Sequence, residues 1–153
     1  MENTWKFNKK EFTDEMVPEG AFGFIYVIKI KIDGVTKLYV GKKQFYANRT
    51  VKKGKRELAV MKDKRGSKKK TVSKLSYAKY IGSNKTIKEA IENGAAYSKH
   101  ILKICFSKME LTYEETRYLF KLDVLENDKY LNDNILGKFY KSKINKNVTE
   151  ETI

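Results

Sequence analysis

Tyr26 and Tyr39 lie in two short apolar segments, Gly23-Phe24-Ile25-Tyr26 and Leu38-Tyr39-Val40-Gly41, and the second runs directly into Lys42 and Lys43. A phenol with its ordinary pKa of ~10 is a poor proton acceptor at neutral pH. An ammonium group beside it favours the phenolate and lowers that value, so tyrosines next to Lys42 and Lys43 could take a proton from water. Without that company, both would read as tyrosines packed on a sheet. The chain has one cysteine, Cys105, and one histidine, His100, too few for a Cys/His zinc site and none to spare for an internal disulfide. A catalytic metal must therefore use oxygen ligands. His100 lies in the alternating stretch Tyr97-Ser98-Lys99-His100-Ile101-Leu102, where a structural role is expected.

The two tyrosines need an element that holds them together. Residues 22–32 form a β-branched and aromatic run, Asp33-Gly34 follows, and a second run continues to Gly41, which is the pattern of a β-hairpin. With Asp33-Gly34 as a two-residue type I′ turn, Ile32 faces Val35, Ile28 faces Tyr39 and Tyr26 faces Gly41. Tyr26 and Tyr39 then share one face of the sheet; a three-residue loop would shift the register by one and put the two rings on opposite faces. Gly41 leaves a gap beside the Tyr26 phenol that a ligand backbone could enter.

Charge identifies the partner. The formal net charge of +14 comes from 33 Lys and Arg against 19 Asp and Glu. Residues 42–74 alone carry fourteen Lys or Arg and two acids, Glu57 and Asp63. A basic loop over residues 42–75 is expected, with Lys52, Lys53, Lys55, Arg56, Lys68, Lys69 and Lys70 as phosphate contacts. No element that reads base edges is evident, so these contacts would position more than specify. No apolar run is long enough to span a bilayer, and the first residues lack the order of a signal peptide, so a soluble, cytoplasmic protein is expected.

Further along, Ser83 to Asn93 reads as a short amphipathic helix ended by Gly94, and Tyr97 to Phe106 as a third strand. Thr112 and Glu115 match a capping box at the start of a helix running to about Asn127. At 100° per residue, Glu115 falls in the stripe of Leu111, Tyr118, Leu119, Leu122 and Leu125 rather than on the solvated side. A carboxylate there needs a partner. The capping box offers the Thr112 backbone N–H, a metal is the alternative, and Glu114 is the second choice of ligand.

Phe24-Ile25-Tyr26 and Tyr39-Val40-Gly41 resemble the paired signatures of the GIY-YIG nuclease family, with Phe24 where the first motif carries glycine. Arg49, eight residues after Gly41, has the spacing of that family's arginine; Glu115-Thr116-Arg117-Tyr118-Leu119 is similar to its glutamate helix, and Asn132 or Asn134 to its terminal asparagine. Lys53 stands where the family often has histidine or tyrosine. The phage-encoded, Seg-like homing endonuclease branch is the nearest in flavour, on the strings Tyr39-Val40-Gly41-Lys42-Lys43-Gln44-Phe45 and Tyr80-Ile81-Gly82-Ser83. Tyr80-Ile81-Gly82 spells the second motif literally, but it precedes a helix and lacks a partner strand, so Tyr39-Val40-Gly41 is taken as the motif.

The resemblance implies a DNA endonuclease dependent on Mg²⁺ (or Mn²⁺). Tyr26 would be the general base, Tyr39 would orient the water, and Lys42 or Lys43 would lower the phenol pKa. Arg49 would hold the phosphate, Glu115 the metal, and Asn132 or Asn134 would buttress the site. The fold expected is α/β, a small mainly antiparallel three-stranded sheet flanked by helices, over residues 22–135. Residues 1–21 are read as an N-terminal extension and 136–153 as a polar tail. With about 20 residues after Asn134, a separate recognition module has little room, and limited sequence specificity is expected. A phage-encoded enzyme would act in the host cytoplasm. The rival is a non-catalytic basic protein that grips nucleic acid while the tyrosines pack or stack. Attachment to an anionic membrane is disfavoured because the basic segment has no amphipathic helix pattern. On either main reading, DNA affinity falls steeply with added salt; a titration in which affinity ignores salt would contradict the assignment of the basic loop.

Overall fold

The computed structural model describes residues 3–51, 54–60 and 70–144. The hairpin is its centre. Strands β3 (Gly23–Ile32) and β4 (Val35–Gln44) follow a short N-terminal hairpin, β1 (Trp5–Phe7) and β2 (Lys10–Glu11). Asp33 and Gly34 both take positive φ, 51° and 76°, as a type I′ turn requires. The predicted register holds: Ile32 pairs with Val35, Ile28 with Tyr39 and Tyr26 with Gly41.

After β4 come β5 (Tyr46–Val51), α1 (Lys55–Val60), β6 (Lys70–Leu75), α2 (Lys85–Glu92), β7 (Tyr97–Cys105) and α3 (Lys108–Lys121), then the small strands β8 (Asn134–Ile135) and β9 (Phe139–Tyr140). The main sheet has five strands in the order β2-β1-β7-β3-β4, not three. It is mainly antiparallel, and β1 joins β7 in parallel. These extra strands come from residues assigned to an extension, and they were illegible because two or three residues show no period. Trp5 explains their place: its indole is fully buried, and its Nε1 donates to the Tyr77 carbonyl at 2.9 Å.

The expected basic loop contains regular structure. β5 and β6 pair as an antiparallel ribbon, Tyr46 with Leu75 through Val51 with Lys70, carrying Arg49 opposite Val72. Two helix starts differ from expectation. α2 begins after Asn84, whose side chain accepts from the Ile87 N–H, not after Ser83. α3 is capped by Ser107, whose hydroxyl accepts from the Glu110 N–H at 3.0 Å, so Thr112 and Glu115 are interior residues. The helix stops at Lys121, ahead of Asp123 at φ 51°, rather than near Asn127.

Alternation along β3 divides the core. Phe24, Tyr26, Ile28 and Ile30 join Trp5, Phe12, Phe45, Tyr77 and Ile87 on one face, while Ile25 and Val40 join Leu111, Leu119, Val124 and Ile135 under α3. On β7, Tyr26 pairs with Ile101 and Ile25 with Lys103, leaving Leu102 as a bulge. The bulge turns Lys103 toward α3 while Lys99 points to the Trp5 side, where its ammonium lies 4.7 Å from the indole centroid.

Gly41 is a packing requirement of the same hairpin. A Cβ at that position would stand 2.5 Å from the Tyr26 hydroxyl and 2.7 Å from Cζ. The gap expected to admit a ligand backbone is filled by the chain's own phenol. Gly41→Ala is therefore expected to destabilise the fold by about 1–3 kcal/mol, the usual scale of overpacking. Urea denaturation at neutral pH checks this, and an unchanged midpoint would contradict the close approach.

Candidate active site

β4 is an edge strand of the main sheet, and its outer edge is closed one residue at a time. The Leu38 N–H donates to the Lys129 carbonyl at 2.8 Å, and the Leu38 carbonyl accepts from the Leu131 N–H at 2.7 Å. At Val40 a side chain takes over from the backbone. The Asn132 carbonyl oxygen accepts from the Val40 N–H at 3.1 Å, and its amide nitrogen donates to the Val40 carbonyl at 2.8 Å. A buried asparagine thus imitates a neighbouring strand. Asn134 does something else: it is exposed and accepts from the Gly137 N–H at 2.9 Å, shaping a turn. Of the two asparagines, Asn132 is the one that holds the β4 backbone.

Beyond Asn132 the edge opens into a polar cleft of about 510 Å³, with Tyr39, Lys42, Ser83, Asn132 and Glu115 in its walls. Tyr39 is half-buried there, its hydroxyl 3.3 Å from the Ser83 hydroxyl. Tyr26 lies behind it, with ring centroids 6.3 Å apart, and is only 1% exposed. Its ring meets Trp5 at 5.3 Å and Tyr80 at 5.9 Å, both edge-on. The two motif tyrosines do converge, but Tyr39 is the one that reaches the cleft.

The expected lowering of the phenol pKa by Lys42 or Lys43 is not what the structure has. Lys42 alternates away from Tyr39 and Gly41 to the α3 side, where its ammonium sits 3.7 Å from Glu115 Oε1 and 3.2 Å from the Thr112 hydroxyl. Lys43 is on the tyrosine face, yet its ammonium stacks over the Tyr80 ring at 4.9 Å. Burial holds Tyr26 far above the ordinary phenol range, and Tyr80, Tyr39 and Glu115 add to the rise. Burial raises Tyr39 too, against a hydrogen bond from Ser83 that works in the lowering direction.

The two glutamates have separated roles. Glu114 is buried and held by Lys103 at 3.0 Å and Arg117 at 2.8 Å. Burial would raise its carboxyl, but those two hydrogen bonds outweigh it and keep the group below the usual carboxylate range. Glu114 is therefore committed to a buried ion pair and is not the second ligand. Glu115, with its side chain 19% exposed, has the Lys42 ammonium as a loose partner. Burial raises its carboxyl and Lys42 offsets part of the rise. The capping role is excluded by the helix start at Lys108. Among the described residues no three His, Cys, Asp or Glu side chains cluster; the cleft walls carry two carboxylates, Glu115 and Asp133.

Other expected residues are less informative. Lys55 and Arg56 are exposed on α1. Lys52, Lys53, Lys68 and Lys69 lie outside the described residues, as do the side chains of Arg49 and Lys70. His100 is structural: its Nε2 is 2.8 Å from the Ser98 hydroxyl, and burial, with Lys29 and Lys6 nearby, keeps its pKa low. Ser83, read as a helix cap, was missed as a cleft residue; the literal Tyr80-Ile81-Gly82 string just before it was the available signal.

A family model described as "Putative endonuclease segE, GIY-YIG domain" matches residues 5–135, from the buried Trp5 to β8. No curated protein and no solved structure matches the chain. No helix among the described residues is long and apolar enough to cross a membrane.

Asn132 provides a test of the strand edge. Asn132→Leu strands the Val40 N–H and carbonyl in a buried place, at about 1–3 kcal/mol for each unpaired group. A loss of roughly 2–6 kcal/mol in urea denaturation is expected on that scale; a loss below about 1 kcal/mol would show that the amide pair is not closing the edge.

Proposed function

Because the chain belongs to the segE-type GIY-YIG family, a family of endonucleases, we propose that it is a divalent-metal-dependent DNA endonuclease of phage type that hydrolyses phosphodiester bonds in the cleft beside β4. The observation that carries this reading is the convergence of Tyr39, Lys42, Glu115 and Asn132 on one polar cleft from three separate parts of the chain. A phosphodiester hydrolase needs an acceptor for the proton of the attacking water, positive charge on the phosphate, and a Lewis acid. Each has a residue here.

Tyr39 is assigned the contact with the attacking water, since its hydroxyl is the motif phenol at the cleft. Tyr26, the base that the resemblance implied, stands behind it and fixes the ring through their packing. By resemblance to the family's arginine Arg49 is assigned to the scissile phosphate, and Lys42 to a phosphate oxygen at the same edge. Asn132 holds Val40 in line between them. Glu115 fits a hard cation such as Mg²⁺ or Mn²⁺: it is an oxygen donor at the wall of a polar cleft, with a single distant ammonium to displace. Such a cation, completed by water and phosphate oxygens, would supply Lewis acidity and cancel the carboxylate charge that now raises both phenols.

Sequence preference is proposed to be limited, the basic surface gripping phosphates without reading bases. The work of a phage-encoded enzyme of this kind would lie in the host cytoplasm.

Plasmid nicking with Mg²⁺ tests the reading. Glu115→Ala and Tyr39→Phe are each expected to cut activity by about 100-fold or more, while DNA binding persists and, for Glu115→Ala, tightens with the loss of a negative charge. The pH dependence has a definite sign. Tyr39 has a raised pKa, so the fraction able to accept a proton is small at neutral pH and grows with alkalinity; the wild-type rate should climb by up to about tenfold per pH unit from pH 7 toward pH 9. Protein that binds DNA but never nicks it, with or without Mg²⁺ or Mn²⁺, would leave the non-catalytic reading standing.

A further inference from the structure

The literal Tyr80-Ile81-Gly82 string does not form the hairpin motif, yet the chain lays it across the hairpin's tyrosine face. The strap is tied on both sides. The Lys99 ammonium donates to the carbonyls of Ala78 at 2.8 Å and Tyr80 at 3.1 Å. At the other end the Asn84 amide donates to the Leu131 carbonyl at 3.3 Å, while its oxygen caps α2.

Between these ties the strap meets both phenols. The Tyr80 ring stands edge-on to Tyr26, 5.9 Å away and 80° inclined. Gly82 takes φ +87°, and a Cβ there would lie 3.5 Å from the Tyr26 hydroxyl and 3.8 Å from Tyr39 Cδ1. The Tyr26 hydroxyl is thus enclosed between two glycines, Gly41 of the hairpin and Gly82 of the strap. Ser83 follows at once, with its hydroxyl 3.3 Å from that of Tyr39, in the wall of the cleft. Among the described residues Ser83 is the hydrogen-bond partner of the Tyr39 phenol.

A hydroxyl can donate or accept. While Tyr39 is neutral, the shared hydrogen can sit on either oxygen. Once Tyr39 has lost its proton, its oxygen accepts only, and the Ser83 O–H becomes the donor that stabilises it. Donation to the charged form favours that form.

We propose that Ser83 is a positioning residue of the nuclease site, held by the Tyr80–Asn84 strap so that its hydroxyl donates to Tyr39 when that phenol is poised to take the proton of the attacking water. This rests on the cleft being the nuclease site. The chemistry is a proton transfer from water to the phenolate oxygen, and Ser83 neither gains nor loses a proton in it. The same geometry explains why a glycine precedes the serine, since only a left-handed residue there brings the strap down onto the phenols.

Ser83→Ala and Ser83→Thr test the proposal in full-length protein. Ser83→Ala is expected to lower the nicking rate by about tenfold at neutral pH, roughly the effect of losing one hydrogen bond to a charged oxygen, with a smaller deficit as pH rises and DNA affinity within about twofold. Ser83→Thr keeps the hydroxyl and should restore most of the rate. A readout that does not depend on cleavage is the titration of Tyr39 itself, followed by carbon-labelled tyrosine NMR and assigned with Tyr39→Phe: its pKa should rise in Ser83→Ala. A Tyr39 titration and a pH–rate profile both unchanged by Ser83→Ala would overturn the proposal, as would an equal loss at every pH accompanied by weaker DNA binding. If Tyr39→Phe itself nicks like wild type, the assignment of the cleft fails; a Tyr39 pKa that still moves in Ser83→Ala would then show the contact without the catalysis.

Discussion

The placement of the Tyr26 phenol across Gly41 is the constraint on which the rest of the site depends. A ring of that size can lie against the neighbouring strand only where the neighbour has no side chain, and the hydroxyl sits where a Cβ at Gly41 would be. That contact pins the face on which Tyr39 emerges, two residues before Gly41, and leaves the Tyr39 hydroxyl at the cleft. It also commits Tyr26 to the core. Trp5, Tyr80 and Phe24 close around its ring, so the phenol that begins the motif acts as a floor for the phenol that ends it.

Electrostatically the site is unlike the molecule around it. The chain is strongly cationic, yet the two lysines after the motif are directed elsewhere than Tyr26 and Tyr39: Lys42 is turned to Glu115 and Lys43 to the Tyr80 ring. The tyrosines and Glu115 are all raised: burial penalises the charged form of each, Glu115 adds its charge against both phenols, and Lys42 offsets part of the rise at Glu115. Positive charge arriving beside Glu115 would act on the carboxylate and the phenols at once.

The hairpin was legible because its determinants are local: Asp33-Gly34 sets the turn, and the turn sets every pairing from Ile32–Val35 to Tyr26–Gly41. The face of Lys42 was legible by the same rule, since it is an odd step from Tyr39 and Gly41; placing it beside the phenols overlooked the alternation of a strand. The start of α3 was ambiguous for a local reason. Ser107…Glu110 and Thr112…Glu115 both have capping-box spacing, and the earlier one wins because the turn it begins buries Leu111 under the sheet. The parallel pairing of β1, the tie from Lys99 to the strap and the use of Asn132 as a surrogate strand are long-range contacts between short segments. No periodicity marks them, so their sequences resemble loops.

In the proposed function a phosphate and a cation would meet in the cleft at the edge of β4. A crystal structure of the protein with Mn²⁺ and a short DNA duplex tests this most directly. It should show the metal at about 2.1 Å from the Glu115 carboxylate, Lys42 turned from Glu115 toward a phosphate oxygen, and that phosphate within reach of the Tyr39 hydroxyl. A duplex bound along the basic surface with no phosphate or metal at Glu115, and the Lys42–Glu115 pair intact, would contradict it.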